Sequence, residues 1–406
     1  MTFKTIKSLD STIGLKGKII LLREDLNVPA KDGVITDFTR IDRAKPTIDA
    51  LRKAGAKIVV LAHYGRPDGE VKADYSMEFI TPALATHWDC PVAFCAHTIG
   101  TAAQNAVSEL KDGDVLLLEN VRFHAGEEKN DPAFTASLAQ LGDVFINDAF
   151  SAAHRAHAST CGLADYLPTA AGLLMEAELN ALSAALENPQ RPVMAIVGGA
   201  KVSSKLSVLN NLVKKADYLV LGGGMANTFL YANGIGVGQS LCEKDMADTA
   251  RTIIETAKAH NCQIILPSDR IVISEFRAHA PNETVPVTAV PEDKEAVDIG
   301  AQTIADVTAL LQNTKTVLWN GPMGIFEVKP FDNGTNGLAQ AVAALTKAGK
   351  ITSVAGGGDT VSALENAGVV NDFTYISTAG GAFLEWMEGK DLPGVAALKQ
   401  AYQKAA

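Results

Sequence analysis

The apolar positions of this chain fall in short runs, each closed abruptly by glycine or by charge, with longer amphipathic stretches between them. Lys18–Leu22 (KIILL), Lys57–Leu61, Val115–Leu118 (VLLL) and Val144–Ile146 are the runs of the first half. Val193–Val197, Tyr218–Leu221, Thr316–Trp319, Ile351–Ala355 and Thr374–Ser377 are those of the second. Runs of this length with β-branched content read as buried strands. Thr36–Leu51, entered near Asp37, and Gly172–Leu186 carry apolar residues at helical spacing. Strand, helix and strand in alternation predict β-α-β units, and so an α/β fold of doubly wound parallel sheets.

The helix over 172–186 stops at Glu187-Asn188-Pro189-Gln190-Arg191-Pro192, and bracketing prolines mark a boundary. The junction is placed there, giving domains 1–187 and 188–391. A length of 406 residues with 47% apolar content is enough for a core in each. The net charge of −10 argues against general attraction to nucleic acid or anionic lipid, so any anion site must be a local cluster. No stretch reaches the ~18 apolar residues of a membrane span, and the N-terminus MTFKTIKSLD has no apolar leader. Cys90, Cys95, Cys161, Cys242 and Cys262 show neither a C-x-x-C pair nor a nearby histidine at metal spacing, and read as reduced structural thiols. A cytoplasmic monomer is expected.

In the first half the strand ends carry the chemistry. The run at 18–22 leads into Arg23-Glu24-Asp25-Leu26-Asn27-Val28-Pro29, and that at 57–61 into His63-Tyr64-Gly65-Arg66-Pro67. The run at 115–118 ends in Glu119-Asn120-Val121-Arg122-Phe123, and that at 144–146 precedes Ala153-His154-Arg155-Ala156-His157. Open α/β sheets bind ligands at the carboxyl ends of their strands. Asn27, Arg40, His63, Arg66, Arg122 and Arg155 are thereby expected at one crevice, suited to a small polyanion because guanidinium forks match carboxylate and phosphate oxygens. Surface ion pairing is the plainer reading of any one arginine. His154 and His157 serve a helix face or core as readily as a ligand, and 127–132 (EEKNDP) reads as a solvated helix entry without chemistry.

In the second half five strands run into glycine turns: Gly198-Gly199, Gly222-Gly223-Gly224, Asn320-Gly321, Gly356-Gly357-Gly358 and Gly380-Gly381. Lys201 and Lys205, four apart, are expected on one face of a helix whose bare amides take phosphate, although two solvated lysines also fit that stretch. Neither a Walker loop nor a G-x-G-x-x-G follows a strand. Glycine backbone along one sheet edge suits a nucleotide, with Asp359-Thr360 able to hold Mg²⁺ or merely to cap a helix. Glu327 either accepts from ribose hydroxyls or is a solvated loop acid.

Taken together these motifs closely resemble the phosphoglycerate kinase family across essentially the whole chain. The resemblance implies two doubly wound, Rossmann-like domains facing across a cleft, the first binding the glycerate and the second the nucleotide. It implies reversible, Mg²⁺-dependent transfer between the acyl phosphate of 1,3-bisphosphoglycerate and ADP, giving 3-phosphoglycerate and ATP in glycolysis. On matching positions, Asp25 and Asn27 would meet the glycerate hydroxyl and carboxyl end. Arg66, Arg122 and Arg155 with His63 would hold its phosphate, Arg40 would sit nearest the reacting carboxylate, and Lys201 would accompany the moving phosphoryl group. Lys205, Asn320, Glu327, Gly357, Gly358, Asp359 and Thr360 would bind ADP or ATP, with Asp359 on the metal side. The last segment, 392–406, would fold back on the first domain. Tyr64, Glu24, Ser151-Ala152 and Ala379 depart from the family pattern. Ala379 would cost about 1 kcal/mol if its backbone needs positive φ.

The absence of a nucleophile–base pair agrees with this chemistry, since the reacting oxygens are already anionic and the protein needs only to position and neutralise them. Two rival readings are a nicotinamide dehydrogenase, which lacks its fingerprint here, and a phosphometabolite-binding module without turnover.

Overall fold

The computed structural model describes residues 2–404, so Met1 and the last two residues of the expected return segment lie outside the described residues. The chain forms two compact units, one running to Asn180 and taking in the residues from Asp391 onward, the other Ala181–Lys390. Among the described residues no helix is long and apolar enough to cross a membrane.

The first unit is built on β1 (Ile19–Arg23), a short ribbon of β2 (Ala30–Lys31) and β3 (Val34–Ile35), then β4 (Lys57–Leu61), β5 (Val92–Cys95), β6 (Val115–Leu118), β7 (Val144–Asn147) and β8 (Thr169–Ala171). Its six-stranded sheet runs β5-β6-β4-β1-β7-β8, every pairing parallel. Alternate residues explain why the strands are apolar throughout. Ile20, Leu22, Ile58, Val60 and Leu117 pack into one core cluster, while Leu21, Val59, Leu61, Leu116 and Leu118 pack into a second. A parallel sheet is covered on both faces by its crossover helices, so period-2 alternation is lost from the sequence. Helix Thr39–Lys53 follows the ribbon, and its entry is fixed by Asp37, whose carboxylate accepts from the Thr39 amide at 2.7 Å. Helix Pro393–Gln403 also belongs here, the Gly394 amide donating to Ala153 O at 2.8 Å.

The second unit contains β9 (Val193–Val197), β10 (Tyr218–Leu221), β11 (Gln263–Ile265), β12 (Asp269–Ile273), β13 (Asn282–Pro286), β14 (Glu295–Ile299), β15 (Thr316–Asn320), β16 (Thr352–Gly356) and β17 (Tyr375–Ser377). Six of them form a parallel sheet, β11-β10-β9-β15-β16-β17, which puts all five glycine turns at the carboxyl edge of one sheet. The remaining three form an antiparallel sheet, β13-β12-β14, that the hydrophobic pattern did not announce. Its outer strand β13 (NETVP) is mostly exposed and has no apolar run to signal it.

Two local expectations are corrected. Lys201 and Lys205 do not share a helix face: Lys201 precedes any helix, residues 203–205 form a single 3₁₀ turn, and the α-helix begins only at Leu206. The Lys205 ammonium turns back to the Gly198 and Asn320 carbonyls, at 2.8 and 3.2 Å, and that return keeps the segment from running straight into the helix. Ala379 sits at φ −91°, outside the left-handed region, so its methyl group meets no backbone strain.

Candidate functional site

Two clusters of candidate residues occur, one at the carboxyl edge of each large sheet. In the first unit the centre is His63, which follows β4 and is buried. Arg23, the last residue of β1 and itself buried, donates from Nη2 to His63 Nδ1 at 2.9 Å. An arginine can only donate, so Nδ1 accepts and the imidazole keeps its proton on Nε2. Burial, then the charges of Arg23, Arg122, Arg155 and Arg40, hold its pKa well below the usual histidine value. The ring is neutral at pH 7 and offers one N–H to an anion.

The loops around it are tied to one another. Asn27 accepts from the Gly65 amide at 2.9 Å, and Arg122 Nη1 donates to Gly65 O at 2.9 Å, so the His63-to-Pro67 turn is gripped from two strand ends. Asn120 donates to the carbonyls of Tyr64 and Tyr75, at 2.8 and 2.9 Å. Asp25 accepts from the Arg40 guanidinium, from Ser151 Oγ and, at 3.1 Å, from the Asn27 amide. Arg122 is buried within 3.2 Å of Glu128, and burial followed by the charge of Arg155 lowers its pKa to about 10, so it remains cationic. Arg155 is half-buried and Arg66 exposed. His157 is buried and neutral, its pKa brought to about 4 by burial and then by the neighbouring arginines.

Three residues of this cluster escaped the sequence. Arg23 opens its motif with nothing local to set it apart from the other arginines, and it orients His63. Glu127, expected in solvent, is fully buried and accepts from the Ser159 amide at 3.0 Å and hydroxyl at 2.6 Å. Ser159 in turn accepts from Arg23 Nε at 2.8 Å, so Glu127 is the buried counter-charge that makes Arg23 tenable. Nothing local in EEKNDP distinguishes this glutamate from its exposed neighbours, because its partners lie ~30 and ~100 residues away in the chain.

In the second unit the turns after β9, β15 and β16 meet. Gly198 is required by close approach: a Cβ there would run into the Pro322 carbonyl. Lys205 Nζ donates to Gly198 O and to Asn320 Oδ1, the latter at 2.6 Å, and Asn320 Nδ2 donates to Gly356 O at 2.7 Å. The Gly321 amide donates to Thr360 Oγ1 at 2.7 Å. Gly357, at φ 99°, starts the helix Gly358–Asn366, whose first turn carries Asp359. Burial lowers the Lys205 pKa to about 8, opposed by the charge of Asp359. A cavity of about 310 Å³ opens beside these turns, lined by Gly199, Gly223, Gly224, Glu327 and Asp359 among others. Glu327, Gly358 and Asp359 are exposed, while Asn320, Gly357 and Thr360 are buried. Lys201 is not part of this network. It is exposed, with Glu243 as its charged neighbour.

Comparison with known proteins follows the same lines. A family model described as phosphoglycerate kinase matches residues 10–390. A phosphoglycerate kinase of Sinorhizobium fredii is 58% identical over 395 residues, covering 97% of this chain and 98% of its own. One of Rhodospirillum centenum is 57% identical, covering 98% and 100%. The solved structure of phosphoglycerate kinase from Coxiella burnetii superposes with a TM-score of 0.90 at 41% identity, over 98% of this chain and 99% of that one. With two parallel sheets each carrying its own loop cluster, and with likeness of this extent in sequence and in fold, the chain belongs to the phosphoglycerate kinase family.

Proposed function

We propose that this chain catalyses reversible phosphoryl transfer between the acyl phosphate of 1,3-bisphosphoglycerate and ADP, yielding 3-phosphoglycerate and ATP. The observation that carries the reading is the cluster around His63. Arg40, Arg122 and Arg155 stand within electrostatic reach of one neutral imidazole at the edge of the first sheet. So much positive charge beside a half-buried crevice suits a small ligand with several anionic groups.

Within this reading each residue has a task that follows from its surroundings. Asn27 spends its carbonyl on Gly65 and keeps its amide group for the ligand. Asp25 holds Arg40 in place and leaves the other guanidinium donors for the reacting carboxylate. Arg66, Arg122, Arg155 and His63 Nε2–H take the distal phosphate. Lys205 has its donors engaged by carbonyl groups, so it acts on the nucleotide phosphates mainly through its charge, or by exchanging its longest contact, 3.2 Å to Asn320 O. Lys201, exposed and unconfined, is free to follow the phosphoryl group being transferred. Glu327 meets the ribose, and the Gly357–Thr360 helix start meets the phosphates.

Asp359 is one exposed carboxylate at a helix start beside the cavity, which fits Mg²⁺, an ion that keeps several waters and shares phosphate oxygens. When bound there, Mg²⁺ would neutralise phosphate charge. No proton need be removed, since carboxylate and diphosphate oxygens are anionic at neutral pH. The residues therefore hold the reacting atoms in line and offset their charge. Both sites belong to a single polypeptide, which supports action as a monomer. The five cysteines are all free, which supports a reducing, cytoplasmic setting.

A coupled assay of ATP formation from 1,3-bisphosphoglycerate and ADP tests the proposal. Turnover dependent on both substrates is expected, and its absence from folded protein would refute the assignment.

A further inference from the structure

Of the two acids in the loop after β1, Glu24 is buried and Asp25 is half-buried beside Arg40. The Asp25 carboxylate is taken up entirely by the protein's own donors. Arg40 Nη1 donates to both of its oxygens. The Asn27 amide donates to Oδ1 at 3.1 Å, and the Ser151 hydroxyl donates to Oδ2. An ionised carboxylate offers about four lone-pair sites, and these contacts fill them. Asn27 belongs to the same loop and Arg40 to the helix that follows it, whereas Ser151 arrives from the 3₁₀ turn Phe150–Ala152 beyond β7, 126 positions along the chain.

The proposed substrate gives this arrangement a consequence. 3-Phosphoglycerate carries a carboxylate, a phosphate and one hydroxyl, and once its acid groups are ionised only the hydroxyl can donate. Its charged ends suit the arginines and His63, and its hydroxyl suits Asp25. To accept that hydroxyl, Asp25 must release one contact. The bond from Arg40 joins two opposite charges, and the Asn27 amide is fixed in the main chain. Ser151 is the contact that gives way, because its hydroxyl turns about a single side-chain bond and can donate to water instead. The turn stands without it: the Ala149 amide donates to Asn147 Oδ1 at 3.1 Å and the Ala152 amide to Ala149 O at 3.0 Å.

We propose that Ser151 is a specificity-determining residue of the glycerate site, its hydroxyl holding the Asp25 position that the ligand's hydroxyl takes, and so blunting the preference for a 2-hydroxy acid. The proposal rests on 3-phosphoglycerate being the ligand of the first unit. Its quantity is the ratio of the dissociation constants of 3-phosphoglycerate and its 2-deoxy analogue, 3-(phosphonooxy)propanoate, titrated against the wild type, Ser151→Ala and Ser151→Gly. Removing the competing hydroxyl is expected to tighten 3-phosphoglycerate roughly three- to tenfold, the worth of one hydrogen bond. The analogue has no hydroxyl to gain from the freed position, so its affinity should stay within about twofold. In assays with 3-phosphoglycerate and ATP, the KM for 3-phosphoglycerate should fall in step while that for ATP holds. A merely loosened loop would move both ligands together and leave the ratio alone. Melting curves identify the folded variants, and either variant suffices. An unchanged ratio in a folded variant, or weaker binding of 3-phosphoglycerate, overturns the role of Ser151 and leaves the proposed function standing. A wild type that binds neither compound refutes the proposed function and the role of Ser151 together, so the two failures are told apart.

Discussion

At the scale of single residues, buried charge in the first unit is arranged in pairs that lie far apart in sequence, and this makes their tests specific. Arg40 is a half-exposed guanidinium on Asp25, so removing it should cost little stability. Arg40→Ala is expected to lower kcat by about 10²–10³-fold, the usual loss of one well-placed transition-state donor, with an unchanged melting curve. Normal turnover would remove Arg40 from the mechanism. Glu24 offers a different test. It and Asp148 are fully buried together, Asp148 accepting from the Met175 amide at 2.8 Å and from the Thr47 hydroxyl. Burial raises the Asp148 pKa to about 6, and burial with the Asp148 charge raises that of Glu24 well above the usual range. The folded chain thus keeps a proton that the unfolded chain releases. The stabilisation from that proton is complete below the unfolded pKa of roughly 4 and fades as pH rises through about 6 and beyond. Glu24→Gln keeps a donor and never ionises. It should match the wild type near pH 4 and gain on the order of 1 kcal/mol, or roughly 2–4 °C, by pH 8. Urea midpoints of the two proteins that run parallel across that range would exclude the shared proton. Glu24 was legible in the sequence only as a departure from the family pattern. Its consequence came from Asp148, more than a hundred positions away.

At the scale of elements, the apolar runs locate all the strands of the two parallel sheets but three edge strands, with ends displaced by a residue or so. The displacement matters once: β1 extends to Arg23, which puts that side chain within the sheet edge. Edge strands β5, β8 and β11, with only 4, 3 and 3 residues, and the antiparallel sheet are not legible in the pattern, since short or exposed strands need no sustained apolar run. The glycine turns were legible because they punctuate such runs, yet the reason for each lies in a neighbouring strand. Gly198 is pressed against the Pro322 carbonyl, while its amide donates to Asn320 O at 3.0 Å. Gly198→Ala should therefore part the turns after β9 and β15, costing about 1–3 kcal/mol as overpacked sites do. It should also raise the KM for ADP while leaving 3-phosphoglycerate binding intact. Equal loss of both affinities, measured by titration, would show that the two loop clusters are not independent.

At the scale of the whole molecule, the proposed reaction needs a nucleotide on one unit and a glycerate on the other, and reacting atoms must come within about 3–3.5 Å. Small-angle scattering should show a smaller radius of gyration with 3-phosphoglycerate and MgATP together than with either alone. No change with both present would argue against closure as part of the cycle. The sequence by itself determined the class of fold, the division into two units, the strand ends that carry arginine or glycine, and the family, because these are written in local runs and contiguous motifs. The tertiary structure alone decided which of those charges are tenable and what they face. Arg23 acquires Glu127 through Ser159, and Lys205 folds back onto carbonyls while Lys201 stays in solvent. The physical reason is that burial and pairing depend on distances across the fold, and residues far apart in the chain supply the partners that local patterns cannot specify.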